Sequence, residues 1–135
     1  MLSSRMPSAI EVWTARVSYR GRDRLDISRK SGDETGIVFA RSWELLGPYL
    51  ALRKIAPINE QDWQRYTEAY TQEMRTSYRR HRTVWEAVLE GNATLAGPDS
   101  PTVTLCCYCN DPSRCHRTIL AGILGKLGAS VMAER

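Results

Sequence analysis

No apolar run in this chain approaches the roughly 18 residues that span a bilayer, which predicts a protein without a membrane helix. The opening stretch, MLSSRMPSAIEV, lacks the apolar core of a secretory signal. That predicts a cytoplasmic protein, with residues 1–8 as a flexible lead-in. Internal repeats, low-complexity tracts and a dividing linker are also missing, so residues 1–135 read as one domain, long enough to bury a real core. Neither sign of charge dominates. The net charge of +4 permits an anionic partner without demanding one. Cysteine is scarce: there are four, all between positions 106 and 115, with one of the two histidines beside them. In a reducing compartment such crowding favours thiols, metal ligands or redox chemistry over disulfides.

These residues lie in the stretch that organises the chain, VTLCCYCNDPSRCHRTILAGILGKLG at 103–128. Residues 103–107 have the composition and length of a buried strand, predicted to be interior to its sheet. A polar turn follows at 110–113. Then Ile119, Leu120, Ile123, Leu124 and Leu127 recur at helical spacing, predicting a helix over roughly 113–127. Asp111 or Ser113 suits its cap and Pro112 its first turn. Strand alternation puts Cys107 and Cys109 on one face, and helical spacing puts Cys115 and His116 at the start of the apolar face. The four side chains are therefore expected to converge, with Arg114 and Arg117 at their flanks. A strand–loop–helix junction of this kind is where open α/β sheets bind ligands.

Upstream, 10–19 reads as a strand and 25–28 as a short extended piece, with a Gly-rich loop over 31–36 and a brief apolar run at 37–40. Ser42 caps a short helix predicted to break near Gly47-Pro48. Asn59 followed by Asp62 resembles a capping box, and Trp63, Tyr66, Tyr70, Met74 and Ser77 form the inward stripe of a long helix. Residues 81–89 continue or restart it, and Gly91 suits its stop. A Gly/Pro loop covers 93–101, and 130–132 is a candidate last strand, closing a parallel β-α-β unit. The fold class expected is α/β: a single, three-layer-like domain with a small, mainly parallel sheet and packed helices.

Four pieces carry a resemblance: WTARVSYRGRDRLDISRKSG at 13–32, FARSWELL at 39–46, EQDWQRYTEAYTQEM at 60–74, and CYCNDPSRCHRTILAGILGKLGA at 107–129. Together they resemble the domain-of-unknown-function family 488 in its shorter form, associated with phages and bacteria. The last piece is the most specific, because Cys-x-Cys, Cys-His-Arg and the following helix occur together. Arg41 departs from the pattern, standing where a Phe-Ala-Pro-Ser-Trp motif has proline. The resemblance implies an α/β fold and no particular reaction.

The junction admits several readings. In one, a phosphorylated ligand, a nucleotide or nucleic acid among them, sits on the helix N–H groups, Ser113, Arg114 and Arg117. In a second, Cys107, Cys109, Cys115 and His116 hold zinc or iron, the donor types being right although C-x-C-x5-C-H is not a common finger spacing. In a third, Cys115 is a catalytic thiolate, favoured by the helix terminus, by His116 and by the arginines. In the bland reading the cysteines are core residues of a regulatory or phage–host interaction module. A phosphatase pattern is absent, since the sixth residue after Cys109 is Cys115 and after Cys107 is Ser113.

Basic residues cluster twice more. Arg16, Arg20, Arg22, Arg24, Arg29 and Lys30 interleave with Tyr19, Asp23 and Asp26, a pattern that suits a phosphate backbone or a solvated hairpin with surface ion pairs. Arg20, Arg22 and Lys30 are the candidate ligand contacts. Asp26, in the Asp-Ile-Ser-x-Lys piece of the resemblance, is expected to reach the cysteine loop as a base or orienting group. Arg75, Arg79, Arg80, His81 and Arg82 end the long helix, where its dipole favours cations.

Overall fold

The computed structural model describes residues 9–135, so the lead-in expected over 1–8 lies outside the described residues. Four strands form one all-parallel sheet: β1 (Glu11–Arg16), β2 (Arg24–Asp26), β3 (Thr102–Cys107) and β4 (Ser130–Glu134), in the order β2-β3-β1-β4. The four helices are α1 (Trp43–Ile55), α2 (Glu60–Arg80), α3 (Arg82–Leu89) and α4 (His116–Lys126). No helix among the described residues is long and apolar enough to cross a membrane.

The interior position expected for 103–107 follows from its composition. β3 pairs with β2 on one side and β1 on the other, and Val103 to Cys107 are all buried. A strand covered on both faces and paired on both edges reads as a continuous apolar run, not an alternating one. The last strand also forms, but it pairs with β1, so the β3-α4-β4 crossover passes over β1. β4 is an edge strand with all five residues exposed.

The helices begin where side chains can cap them. Ser42 Oγ accepts from the Leu45 N–H (3.1 Å), and Asn59 Oδ1 accepts from the Asp62 N–H (2.8 Å). α1 runs through Gly47-Pro48 where a break was expected. Both residues are exposed, so the carbonyl that Pro48 leaves without an amide partner lies on the side where water can take the bond. The stripe on α2 is core: Tyr66, Tyr70, Met74 and Ser77 are buried. Tyr70 packs with Phe39, Trp85 and the inward residues of β3 and α4 in one apolar cluster. The apolar run near 37–40 is a single 3-10 turn, Gly36–Phe39, tied down by Tyr70 Oη donating to the Phe39 carbonyl (2.7 Å) and Ser77 Oγ donating to that of Val38 (2.8 Å). Gly36 itself is a close approach. A Cβ there would stand 1.8 Å from the Asp26 carbonyl oxygen, so any other residue forces β2 and this turn apart.

Candidate metal centre

The sulfur atoms gather at the carboxyl end of β3. Cys107 is its last residue, fully buried, and Cys109 follows on the loop, half-buried. The chain then makes a 3-10 turn, Pro112–Arg114. Asp111 caps it by accepting from both the N–H (3.0 Å) and the Oγ (2.7 Å) of Ser113. The helix expected from about 113 therefore starts later, at His116. Cys115 is its N-cap, extended (φ −133°, ψ 145°), rather than a residue of the first turn. That correction removes a difficulty in the sequence. Two adjacent helical residues point about 100° apart, but a non-helical Cys115 can turn its sulfur toward the same point as His116. The donor atoms of Cys107, Cys109, Cys115 and His116 all lie within 4.8 Å of one another.

His116 is committed to one tautomer. Its Nε2–H donates to the Ile27 carbonyl at 2.9 Å, because a carbonyl can only accept. Nδ1 then keeps its lone pair and lies 3.7 Å from Cys115 Sγ. Burial depresses the imidazole pKa, so the ring is neutral. A back-side N–H bond to a carbonyl is the usual support of a ligating histidine. Tyr70 adds an edge-on contact that fixes the ring plane.

Arg117, expected at the flank, is inside. Its side chain has no exposed surface. One terminal nitrogen donates to Cys107 Sγ (3.2 Å), Cys115 Sγ (3.3 Å) and the Cys109 carbonyl (2.9 Å). The other two nitrogens meet the Glu134 carboxylate of β4 at 3.2 and 2.8 Å. Arg114 turns away, pairing with Glu60 (3.1 Å) and lying over the Trp63 ring. Ser113 is exposed and spends its hydroxyl on Asp111.

The thiols differ in electrostatic setting. Burial pushes the Cys115 thiol well up, and the neighbouring cysteines add to it. The expectation of an activated thiolate at a helix terminus does not describe this residue, which is enclosed and shares its space with other sulfurs. The Cys107 and Cys115 thiols instead pull Cys109 down, against the effect of its own burial. Cys106 points elsewhere, and burial pushes it up to about 12.

Asp26 is buried at the end of β2, beside Cys106 in register, but it does not reach the sulfurs. Its carboxylate accepts from Ser28 and Ser31, and Ser31 in turn meets the Tyr108 hydroxyl at 3.0 Å. It thus braces the loop from outside. Arg22 is tied to the Leu95 carbonyl (2.8 Å), while Arg20 and Lys30 are exposed.

Nothing in the sequence singles out Arg41 beyond its departure from a motif. It is buried, 7% exposed, with one terminal nitrogen on the Tyr66 hydroxyl (3.1 Å). Its Nε has no hydrogen-bond partner among the described residues, and no carboxylate pairs with it there. Its charge acts on Cys109, Cys115 and His116.

A family model described as the active DUF488-N3 subclade matches residues 5–128. The chain belongs to the DUF488-N3a family. The match takes in all four donors and Arg117 of the DUF488-N3a chain and stops before β4, which supplies Glu134. No curated protein and no solved structure matches it.

Proposed function

We propose that the protein is a metalloprotein in which Cys107, Cys109, Cys115 and His116 hold a zinc ion. The observation that supports this reading best is the convergence of three sulfurs and a histidine nitrogen whose tautomer leaves its lone pair facing them. Thiolate and imidazole together are a zinc donor set, and iron sites of this size more often use four thiolates. Tetrahedral coordination at about 2.3 Å to sulfur separates two thiolates by about 3.8 Å. Cys107 and Cys115, now 2.7 Å apart, would part by about 1 Å on binding.

Charge supports the same reading. Arg117 and Glu134 cancel, which leaves Arg41 as a buried cation without an anion among the described residues. Such a charge costs several kcal/mol, roughly, unless a counter-charge is near. Three thiolates, a neutral imidazole and a divalent cation sum to one negative charge, which supplies it. Four protein ligands form a closed shell of the structural kind, so the ion's work is to fix the loop 107–116. The phosphorylated ligand expected from the sequence then docks against the centre, not within it. A cytoplasmic setting in a bacterium or phage-infected cell would keep the thiols reduced for the metal.

The test is metal content by mass spectrometry on protein purified without chelator, followed by cobalt exchange. One zinc per chain is expected, with thiolate-to-cobalt charge-transfer absorption. Both should be lost in Cys107→Ser and His116→Gln and kept in Cys106→Ser. Protein that is metal-free as isolated and takes up no cobalt overturns the proposal. A second reading has its own observation, the 2.7 Å approach of the Cys107 and Cys115 sulfurs. A disulfide-class oxidant accepting two electrons and two protons would join them. An intact mass lower by two hydrogens, in place of bound metal, distinguishes that outcome.

A further inference from the structure

Half-buried Cys109 borders a cleft of about 330 Å³ between the end of α1 and the 109–114 loop. Tyr49 and Arg53 line it from α1, Pro57 and Ile58 from the connection to α2, and Cys109 and Arg114 from the junction. We propose that this cleft binds a small phosphate monoester, with the phosphate between Arg53 and Arg114 and the organic part against Tyr49, Pro57 and Ile58. The metal centre forms its floor, and in that respect the inference rests on the function proposed above.

Three observations carry it. First, the guanidinium groups are incompletely used. Arg114 has a salt bridge and a ring contact, yet one of its terminal nitrogens is buried with no hydrogen-bond partner among the described residues. Arg53 pairs with no carboxylate among them. Second, Arg41 behind the wall offsets the negative charge of the centre, so the cleft keeps the charge of Arg53 and Arg114. Arg41, nine-tenths buried with its own unpartnered Nε, acts on both Tyr49 and Cys109. Buried donors left unmade are costly, and Arg114, which lines the cleft, can turn its unpartnered nitrogen to a phosphate, whose three acceptor oxygens fit a guanidinium fork. The carboxylate that does line the cleft, Asp111, accepts both Ser113 bonds on Oδ1, and its charge is offset by Arg114 beside it. Third, the shape and lining suit a small organic ligand. The volume is at the low end of ligand pockets, and one side is aromatic and aliphatic. Inorganic phosphate would leave that side unused.

The experiment is calorimetric titration with inorganic phosphate, ribose 5-phosphate and AMP, with zinc measured on the same samples. At least one of the esters is expected to bind tenfold or more tighter than inorganic phosphate. Arg53→Gln and Arg114→Gln should each weaken it about tenfold, one charge-assisted contact apiece, without loss of zinc. Arg65→Gln, on the exposed face of α2, should change the affinity less than twofold. Both cleft arginines are surface-accessible, so their loss leaves the core intact. Three results overturn the proposal: no ester binding at millimolar concentration, equal affinity for phosphate and esters, or equal weakening by Arg65→Gln. Zinc-loaded protein that fails to bind esters removes the cleft and keeps the centre. Zinc-free protein that binds them through Arg53 removes the centre and keeps the cleft.

Discussion

Glu134→Gln keeps the shape of the β4 side chain and deletes its charge. In the native protein the carboxylate takes two nitrogens of a guanidinium that has no exposed surface. Removing one partner of a buried ion pair costs about 3–5 kcal/mol. Glu134 is itself 31% exposed, and the amide oxygen retains one bond, so the cost falls to about 2–3 kcal/mol. For 135 residues the unfolding entropy is about 280 cal/mol/K, which converts the loss into a fall in Tm of about 7–11 °C. Zinc changes the outcome in a defined direction. With thiolates around the ion, the nitrogen that touches Cys107 and Cys115 has an anionic partner even without Glu134. The fall should therefore be at most half as large in zinc-loaded protein as in chelator-treated protein. Differential scanning calorimetry of both forms makes the comparison. A shift below about 2 °C in chelated protein would refute the importance of the pair. Equal shifts in the two forms would refute the compensating charge of the centre.

In chelator-treated protein iodoacetamide should label Cys109 first, because it is the one cysteine that is not buried, with Cys106, Cys107 and Cys115 protected until unfolding; peptide mapping that finds Cys115 modified first contradicts the geometry. Asp23 should govern part of the acid limb of stability. Burial pushes its carboxyl up, but hydrogen bonds from Thr102, Tyr19 and Thr104 and the charge of Arg135 more than offset this, leaving it below the usual value. A depressed carboxyl contributes stability above its unfolded pKa of about 3.9 and loses it as pH falls through the folded value. Asp23→Asn should therefore lower stability at neutral pH and flatten its decline below about pH 4, as read from urea midpoints across pH. Gly36→Ala sets a methyl group against the Asp26 carbonyl and should destabilise by about 1–3 kcal/mol, the cost of overpacking, while lowering zinc retention as Ile27 is displaced from His116. An unchanged urea midpoint would show that the turn yields freely.

The periodic features of this fold were legible in the sequence because each is a local pattern. The buried stripe of α2, the caps at Ser42 and Asn59 and the apolar run of β3 follow from spacing and side-chain chemistry within a few residues. The convergence of the donors was legible for the same reason, since strand alternation and a following helix bring them together. What stayed hidden depends on partners far along the chain. Arg117 looked like a surface flank because nothing near it in sequence announces Glu134. Arg41 looked like a loop variant because its partner, Tyr66, lies far along the chain on α2. The late start of α4 was obscured by a second competent cap, Asp111, which closes a 3-10 turn instead. Pro48 suggested a break, and only its exposed position shows why the helix tolerates it.

β4 follows all four donors in the order of synthesis, and it also follows the last residue of the family match. On a ribosome, Cys107, Cys109, Cys115, His116 and Arg117 emerge before the carboxylate that neutralises Arg117. A nascent chain at that stage holds an arginine destined for burial and no acid to accompany it, so the sulfurs are its nearest available counter-charge. Metal captured then would draw Arg117 inward and prepare the surface on which β4 later pairs with β1. Metal captured afterwards would have to enter past Cys109, the half-buried donor beside the cleft. On the zinc reading, the edge strand would make the timing of metal delivery, as well as its concentration, a determinant of how much protein matures.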